Sequence, residues 1–319
     1  MIGPTGSDVR RALSEPFEKQ YGIGVEYMAL SGSEAAERIK TEREAGQYLW
    51  DIYVSGTTTV LQLKDLGAYD PIESAMLLPE VKDLKSWREG RIYWTDRDRV
   101  GVMMQPHATG APFVNSSLVR VEEFKTWKDF LDPKWKGKIV VGRDPRSSGP
   151  GQALFAFFYL HPELGADFIR ALGRQELVLI RSDRQAVEWV IQGKYPITFG
   201  TGSTELVEMV KQGLPIKAID PRQLKEGLHV SAGSSNVALM NKAPHPNAAK
   251  AYINWLLGKE AQTLYSQATG DPSWRVDVAS DHVLPWSLYD PRYIRTDSEE
   301  GLAATRGAVA QLLREVFRD

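Results

Sequence analysis

The stretch from Thr126 to Gly151 constrains the fold of this chain most strongly. Within it, Lys138–Val141 is a short apolar run of the kind buried in parallel sheets. A polar loop from Gly142 to Gly149 follows, and the apolar run Gln152–Leu160 then predicts a helix. A strand that leads through a serine and glycine loop into a helix is the repeating unit of an α/β sheet. We therefore predict an α/β fold.

Five further loops share this serine, threonine and glycine composition, and four of them precede predicted helices. In an open α/β sheet, loops at the carboxyl ends of strands line the crevice where ligands bind. Hydroxyl groups and helix N-termini suit an anionic or polyhydroxylated ligand. The predicted ligand-binding residues are Thr5, Gly6, Ser7, Ser31, Ser33, Ser55, Gly56, Thr57, Arg146, Ser147, Ser148, Gly149, Thr201, Gly202, Ser203, Ser234 and Ser235.

The same residues also have purely structural interpretations. Ser147 or Ser148 is a good N-cap for the helix that follows, and an N-cap needs no ligand. Ser31 and Glu34 fit the capping-box spacing, and so do Ser182 and Gln185. Arg146 is the preferred charged contact because it lies inside the loop, and a guanidinium matches a carboxylate or phosphate in a bidentate way. A solvated surface charge is the alternative for Arg146.

Composition excludes several classes of function. The 319 residues carry a formal net charge of −2, so charge gives no reason to expect nucleic acid or an anionic membrane as a partner. The chain has no cysteine, which excludes disulfides, thiolate metal sites and a cysteine nucleophile. Its five histidines lack zinc-type spacing, and no apolar run reaches the length of a membrane span. We predict neither a metal nor a cofactor.

Two motifs resemble a known family. They are TWKDFLDPKWKGKIV, which begins at Thr126, and NKAPHPNAAKAYINWLLGKEAQ, which begins at Asn241. Within the second motif, apolar residues at three- and four-residue spacing predict one helix that begins at Pro246 and continues to Tyr265. Both are similar to motifs of the extracellular solute-binding proteins of ABC importers, and in particular of the cluster that contains the ferric-ion-binding proteins. The resemblance covers nearly the whole chain.

The resemblance implies a type II periplasmic-binding-protein fold, in which two α/β lobes are joined by two crossover strands and hold the ligand between them. It places residues 1–101 and 237–274 in the first lobe, and residues 102–236 and 275–319 in the second. It implies a binding protein rather than an enzyme. We expect a monomer outside the cytoplasm that closes on its solute and docks transiently on a membrane permease. We also expect an export signal to have preceded the first residue.

The sequence departs from the ferric-ion-binding members at the position of their two adjacent tyrosines. Those phenolates should follow the predicted strand Pro196–Phe199, where this chain has Thr201, Gly202 and Ser203. Ferric ion needs several anionic oxygen ligands, and hydroxyls are poor substitutes. We therefore predict a small anionic or polar organic solute such as a carboxylate, phosphate ester, phosphonate or polyol. The alternatives are a ferric-ion or iron-chelate binding protein and, from another class, an enzyme on the same fold.

Overall fold

The structure, a computed structural model, describes residues 1–147, 149–202, 209 and 212–318, except for the side chain of Glu300. Ser148 and Ser203, both predicted to bind ligand, lie outside this set. The chain divides into two compact units. The first comprises Met1–His107 and Ser231–Leu284, and the second comprises Ala108–Val230 and Pro285–Asp319. No helix in the described ranges combines the length and apolar character needed to cross a bilayer.

The first unit is built on a mixed sheet in which β1, β2 and β3 run parallel and β12 runs antiparallel to β3. Along the sheet the order is β2, β1, β3, β12 and β4, and β5 also pairs with β12. Ile52, Tyr53 and Val54 of β3 are all buried, as the apolar run predicts. The strands are β1 (Ile2–Gly3), β2 (Met28–Ala29), β3 (Ile52–Ser55), β4 (Tyr69–Asp70), β5 (Gly101–Met103) and β12 (Asn236–Met240).

Helices cover this sheet and contribute apolar faces to its core. Val60 and Leu63 of α3 are fully buried, and Ile39 of α2 is only 1% exposed. The α-helices are α1 (Ser7–Tyr21), α2 (Gly32–Glu44), α3 (Thr57–Lys64), α4 (Pro79–Lys82), α8 (Pro246–Leu256) and α9 (Lys259–Thr269). Short 3₁₀ helices span Ile72–Ala75, Leu84–Ser86 and Arg88–Gly90.

The second unit has a five-stranded sheet of order β10, β6, β9, β7 and β8, in which β7, β8 and β9 are parallel. A separate pair joins β11 to β13. The strands are β6 (Phe113–Asn115), β7 (Ile139–Val141), β8 (Val178–Leu179), β9 (Ile197–Phe199), β10 (Ile216–Ala218), β11 (His229–Val230) and β13 (Ile294–Arg295). The helices are α5 (Pro150–Leu160), α6 (Gly165–Gly173), α7 (Asp183–Ile191), α10 (Glu299–Ala304), a π-helical turn (Thr305–Val309) and α11 (Ala310–Val316), with 3₁₀ turns at Val121–Glu123, Trp127–Leu131, Pro133–Trp135, Pro221–Gln223 and Pro285–Ser287.

The motif that begins at Thr126 serves the core of the second unit. Trp127 is fully buried, and its ring lies edge-on to Phe158 with centroids 4.8 Å apart. Its indole N–H donates to the carbonyl of Gly227 at 2.8 Å, and its backbone N–H donates to the buried carboxylate of Glu226 at 3.0 Å. Trp127 of this motif therefore helps to hold the second unit together, and it does not itself indicate a ligand.

Three expectations are corrected. The first unit is larger than the predicted first lobe, because it also contains residues 102–107, 231–236 and 275–284, and β5 pairs with β12 within its sheet. The segment after Pro246 forms two helices rather than one, because the first helix ends at Leu256 and the second begins after Gly258, the N-cap of α9. The helix α5 begins after Gly149, so Ser147 is not its N-cap.

Candidate functional site

Four of the predicted loops lie at one edge of the first sheet. The strands β1, β2 and β3 are parallel, so the loops after them, at residues 4–7, 31–33 and 55–58, share the edge where these strands end. The antiparallel strand β12 begins there, because Asn236 is in register with Ser55. The loop at residues 233–235 therefore lies at the same edge. We call this set of loops the first carboxyl edge.

Asn236 ties two of these loops together. Its side-chain amide, fully buried, donates to the carbonyl of Ser55 at 3.2 Å and to the hydroxyl of Thr57 at 3.0 Å. The hydroxyl of Thr95 donates to its Oδ1 at 2.8 Å. A Cβ atom on Gly56 would lie 2.9 Å from the carbonyl of Gly233, so only glycine fits this approach of the two loops. The start of α3 is thus fixed by buried contacts.

The N-termini of the helices at this edge differ in how they are capped. In α2, Ser31 Oγ accepts from the N–H of Glu34 at 3.4 Å, and the carboxylate of Glu34 accepts from the N–H of Ser31 at 3.0 Å. Hydrogen bonds from Ser31 hold the pKa of Glu34 below its ordinary value, so this helix start carries a negative charge. By contrast, α1 and α3 have glycine N-caps, Gly6 and Gly56, and no side chain caps them.

Tyr27 supports the loop that leads into α1. Its hydroxyl donates to the carbonyl of Pro4 at 2.8 Å. Burial raises the pKa of Tyr27, so the hydroxyl keeps its proton and remains a donor. The loop ahead of α1 is therefore held by the protein, while exposed Thr5 and Ser7 remain at the surface.

The second unit has a corresponding edge, where β7, β8 and β9 end. The loops at residues 142–147, 180–183 and 200–202 lie there together with Gly149, and we call them the second carboxyl edge. A guanidinium nitrogen of Arg143 lies 2.9 Å from Asp183 Oδ2. Glycines allow this packing: a Cβ atom on Gly142 would meet Thr201 Cγ2 at 2.2 Å, and one on Gly151 would meet the carbonyl of Arg143 at 1.9 Å.

The same contrast in capping appears at the second carboxyl edge. The N-cap of α5 is Gly149, and no side chain caps this helix. The N-cap of α7 is Ser182, whose hydroxyl accepts from the N–H of Gln185 at 3.2 Å. Glycine thus precedes α1, α3 and α5, whereas serine caps α2 and α7.

Arg146, the preferred charged contact, makes several bonds within the second unit. Its guanidinium donates to Asp144 at 2.9 Å and to the carbonyl of Phe317 at 2.7 Å. Burial alone raises the pKa of Asp144, but the hydrogen bonds from Arg146 outweigh that effect and leave the pKa below its ordinary value. Ser147 donates its hydroxyl to the carbonyl of Asp144 at 2.8 Å. These contacts fasten the loop to the end of α11.

The predicted hydroxyls fall into two groups by exposure. Thr5, Ser7, Ser31, Ser33, Ser147 and Ser234 are exposed, whereas Ser55, Thr57, Thr201 and Ser235 are buried. Of the buried ones, Ser235 donates to the carbonyl of Ala232 at 2.6 Å, so it has a structural role. Sequence reasoning did not single out Asn236 or Asp183. Asp183 carried a signal, since it directly follows the predicted cap Ser182.

No group of three or more histidine and acidic side chains within the described ranges has the arrangement of a metal site. Thr201 and Gly202 follow β9 and lie at the second carboxyl edge. They stand where the family resemblance places the two adjacent tyrosines of the ferric-ion-binding proteins.

Comparison with known proteins is consistent with this architecture. A putative extracellular solute-binding protein from Bordetella parapertussis has the same fold, with a TM-score of 0.78, 19% identity and coverage of 99% of this chain and 97% of its own. An IdiA (FutA) protein of Trichodesmium, solved with iron and citrate, has a TM-score of 0.75 at 18% identity, covering 100% of this chain and 98% of its own. A putative 2-aminoethylphosphonate-binding periplasmic protein of Salmonella typhimurium is 24% identical over 84% of this chain and 73% of its own.

The family comparison covers most of the chain. Residues 12–286 match the family described as bacterial extracellular solute-binding protein. Homologues in this family are extracytoplasmic, and proteins of this kind deliver their solute to membrane permeases. The chain belongs to the bacterial extracellular solute-binding protein family and is a solute-binding protein of ABC transporters.

Proposed function

We propose that this protein binds a small organic anion, such as a carboxylate, phosphate ester or phosphonate, through its two carboxyl edges. The observation that carries the proposal is the capping contrast. The glycine N-caps of α1, α3 and α5 have no side chain that could accept from the first-turn N–H groups. Such N–H groups and the helix dipole favour a negatively charged ligand.

Charge at the edges supports the same class of solute. Arg10 lies in the first turns of α1 with an exposed side chain, and Arg181 lies exposed just after β8. In α2 the carboxylate of Glu34 already accepts a hydrogen bond at the helix start, whereas Asp8 in the first turn of α1 is paired with Arg11. The glycine-capped helices are therefore the better candidates for the acidic group of the solute.

The proposal includes the finer points of cellular role. We propose that the protein acts without catalysis, as a monomer outside the cytoplasm, and passes its solute to the permease of one importer. Solute-binding proteins deliver their ligand to such permeases, which supports the last point.

A thermal-shift screen tests the proposed ligand class. A ligand that binds only the native state raises the melting temperature. We expect organic acids, phosphate esters or phosphonates to raise it, and neutral analogues of the same shape to leave it unchanged. Stabilisation by neutral polyols alone would contradict the anionic proposal.

A ferric citrate sample in the same screen tests the alternative, that the protein binds iron or an iron chelate. The sequence has no adjacent tyrosines, so ferric citrate should produce no phenolate-to-iron charge-transfer absorbance. A visible band that disappears when one tyrosine is replaced would support iron binding and overturn the proposal.

A further inference from the structure

Asp183 has one carboxylate oxygen that the described protein does not satisfy. The residue is 7% exposed, and its Oδ2 lies 2.9 Å from the guanidinium of Arg143. Its Oδ1 is buried and has no hydrogen-bond donor among the described residues. An ionised carboxylate accepts several hydrogen bonds, and leaving a buried acceptor unmet is costly. Such an oxygen in a native protein needs a partner from elsewhere.

Two glycines pack closely against the two oxygens of Asp183. A Cβ atom on Gly142 would lie 3.3 Å from Oδ1, and one on Gly202 would lie 3.3 Å from Oδ2. The hydroxyl of Thr201, 2% exposed, also lacks a partner among the described residues. An unmet acceptor and an unmet hydroxyl thus occur together beside two side-chain-free positions.

This cluster adjoins the glycine-capped helix α5. A Cβ atom on Gly202 would lie 3.9 Å from Cγ of Pro150, the first residue of α5. The helix start favours a negative group, whereas Asp183 Oδ1 requires a hydrogen-bond donor. A solute that satisfies both must carry an acidic group and, separately, a donor.

We propose that Asp183 is a specificity-determining residue that accepts a hydrogen bond from a hydroxyl or ammonium group on the bound anion. This inference rests on the proposed function and names a subclass of its solutes: organic anions that also bear a donor. The Arg143 guanidinium holds the carboxylate in place through Oδ2. Oδ1 is then the oxygen that accepts a hydrogen bond from the solute. Anions that end in a methyl group leave Oδ1 unmet and bind more weakly.

Three matched probes test this inference: 2-hydroxyethyl phosphate, 2-aminoethyl phosphate and ethyl phosphate. They share the phosphate and differ only in the terminal group. Dissociation constants are measured by calorimetry for the wild type, Asp183→Asn and the control Asp167→Asn, whose carboxylate lies exposed on α6. In the wild type and the control, we expect at least one donor-bearing probe to bind at least tenfold more tightly than ethyl phosphate.

Asp183→Asn should abolish this preference. Its amide can present oxygen to Arg143, which turns the NH₂ group, a donor, toward the former position of Oδ1. The two donor-bearing probes identify whether hydroxyl or ammonium is preferred. Equal binding of all three probes to the wild type, or an unchanged preference in Asp183→Asn, overturns the inference.

If phosphate probes and the acids of the screen all fail to bind the wild type, the proposed function itself fails. If they bind without discrimination, only the role of Asp183 fails.

Discussion

Arg146 illustrates how a residue with a plausible ligand role can also be required by the fold. The sequence places it in a serine and glycine loop before a helix, which suggested an anion contact. Its bond to Asp144 is local, but its bond to the carbonyl of Phe317 joins residues 171 positions apart, and no local pattern indicates that contact. The ligand role remains a prediction, and the two roles give different experimental outcomes.

We predict that Arg146→Ala lowers the free energy of unfolding by about 1.5–3 kcal/mol, because it removes charge-assisted hydrogen bonds around a carboxylate that is largely buried. Chemical unfolding measures the difference. Arg184→Ala is the control, since its ion pair with Glu188 is exposed and is expected to contribute about 0–1 kcal/mol. Weaker binding of the best anion with unchanged stability would instead support the ligand role.

The effect of Arg146→Ala should depend on pH. The pKa of Asp144 is below its ordinary value of 3.8 in the folded protein, so its ionised form contributes stability above that value. That contribution is lost as the pH falls through the folded-state pKa. The stability difference between wild type and variant should therefore be constant near neutral pH and shrink once the pH falls below about 4. A difference that grows on acidification would contradict this assignment.

At the scale of helices and strands, the local sequence patterns predicted capping bonds correctly but missed two helix boundaries. The capping bond at Ser31 and the one at Ser182 were both predicted from spacing and both are present. Gly149 was missed as the start of α5 because its φ of 130° and its contact with Arg143 depend on packing. The break at Gly258 was also missed, since the apolar spacing continues across it.

The capping contrast predicts different roles for serines at the same edge. Ser31→Ala should lower the free energy of unfolding by about 1 kcal/mol, because it removes an N-cap, and should leave anion binding unchanged. Thermal or chemical unfolding and a titration of the best anion measure the two effects. Its exposed neighbour offers the control, as Ser33→Ala removes no cap. Loss of binding in Ser31→Ala at full stability would show that the hydroxyl contacts the solute.

At the scale of the whole molecule, the family motifs predicted the fold, and the residues at the sheet edges predicted where to look for a site. Shared polar composition identified loops that prove to lie at one edge of each sheet. It did not separate hydroxyls used internally, such as Thr57 beside Asn236, from those left exposed. That distinction depends on contacts between residues 179 positions apart, which no local pattern contains.

The most direct test of the central claim adds one negative charge at a glycine-capped helix. Ser7→Asp places a carboxylate in the first turn of α1, where it should leave stability unchanged or raise it by up to about 1 kcal/mol. Asn247→Asp makes the same change in the first turn of α8, which follows β12 at the opposite end of that strand from Asn236. The dissociation constant of the best anion from the screen is measured at low salt for both variants and the wild type. The account predicts about fivefold weaker binding in Ser7→Asp, since like-charge repulsion is on the order of 1 kcal/mol, and wild-type binding in Asn247→Asp. Equal affinity in all three proteins would contradict the claim that the glycine-capped start of α1 contributes to holding the anion.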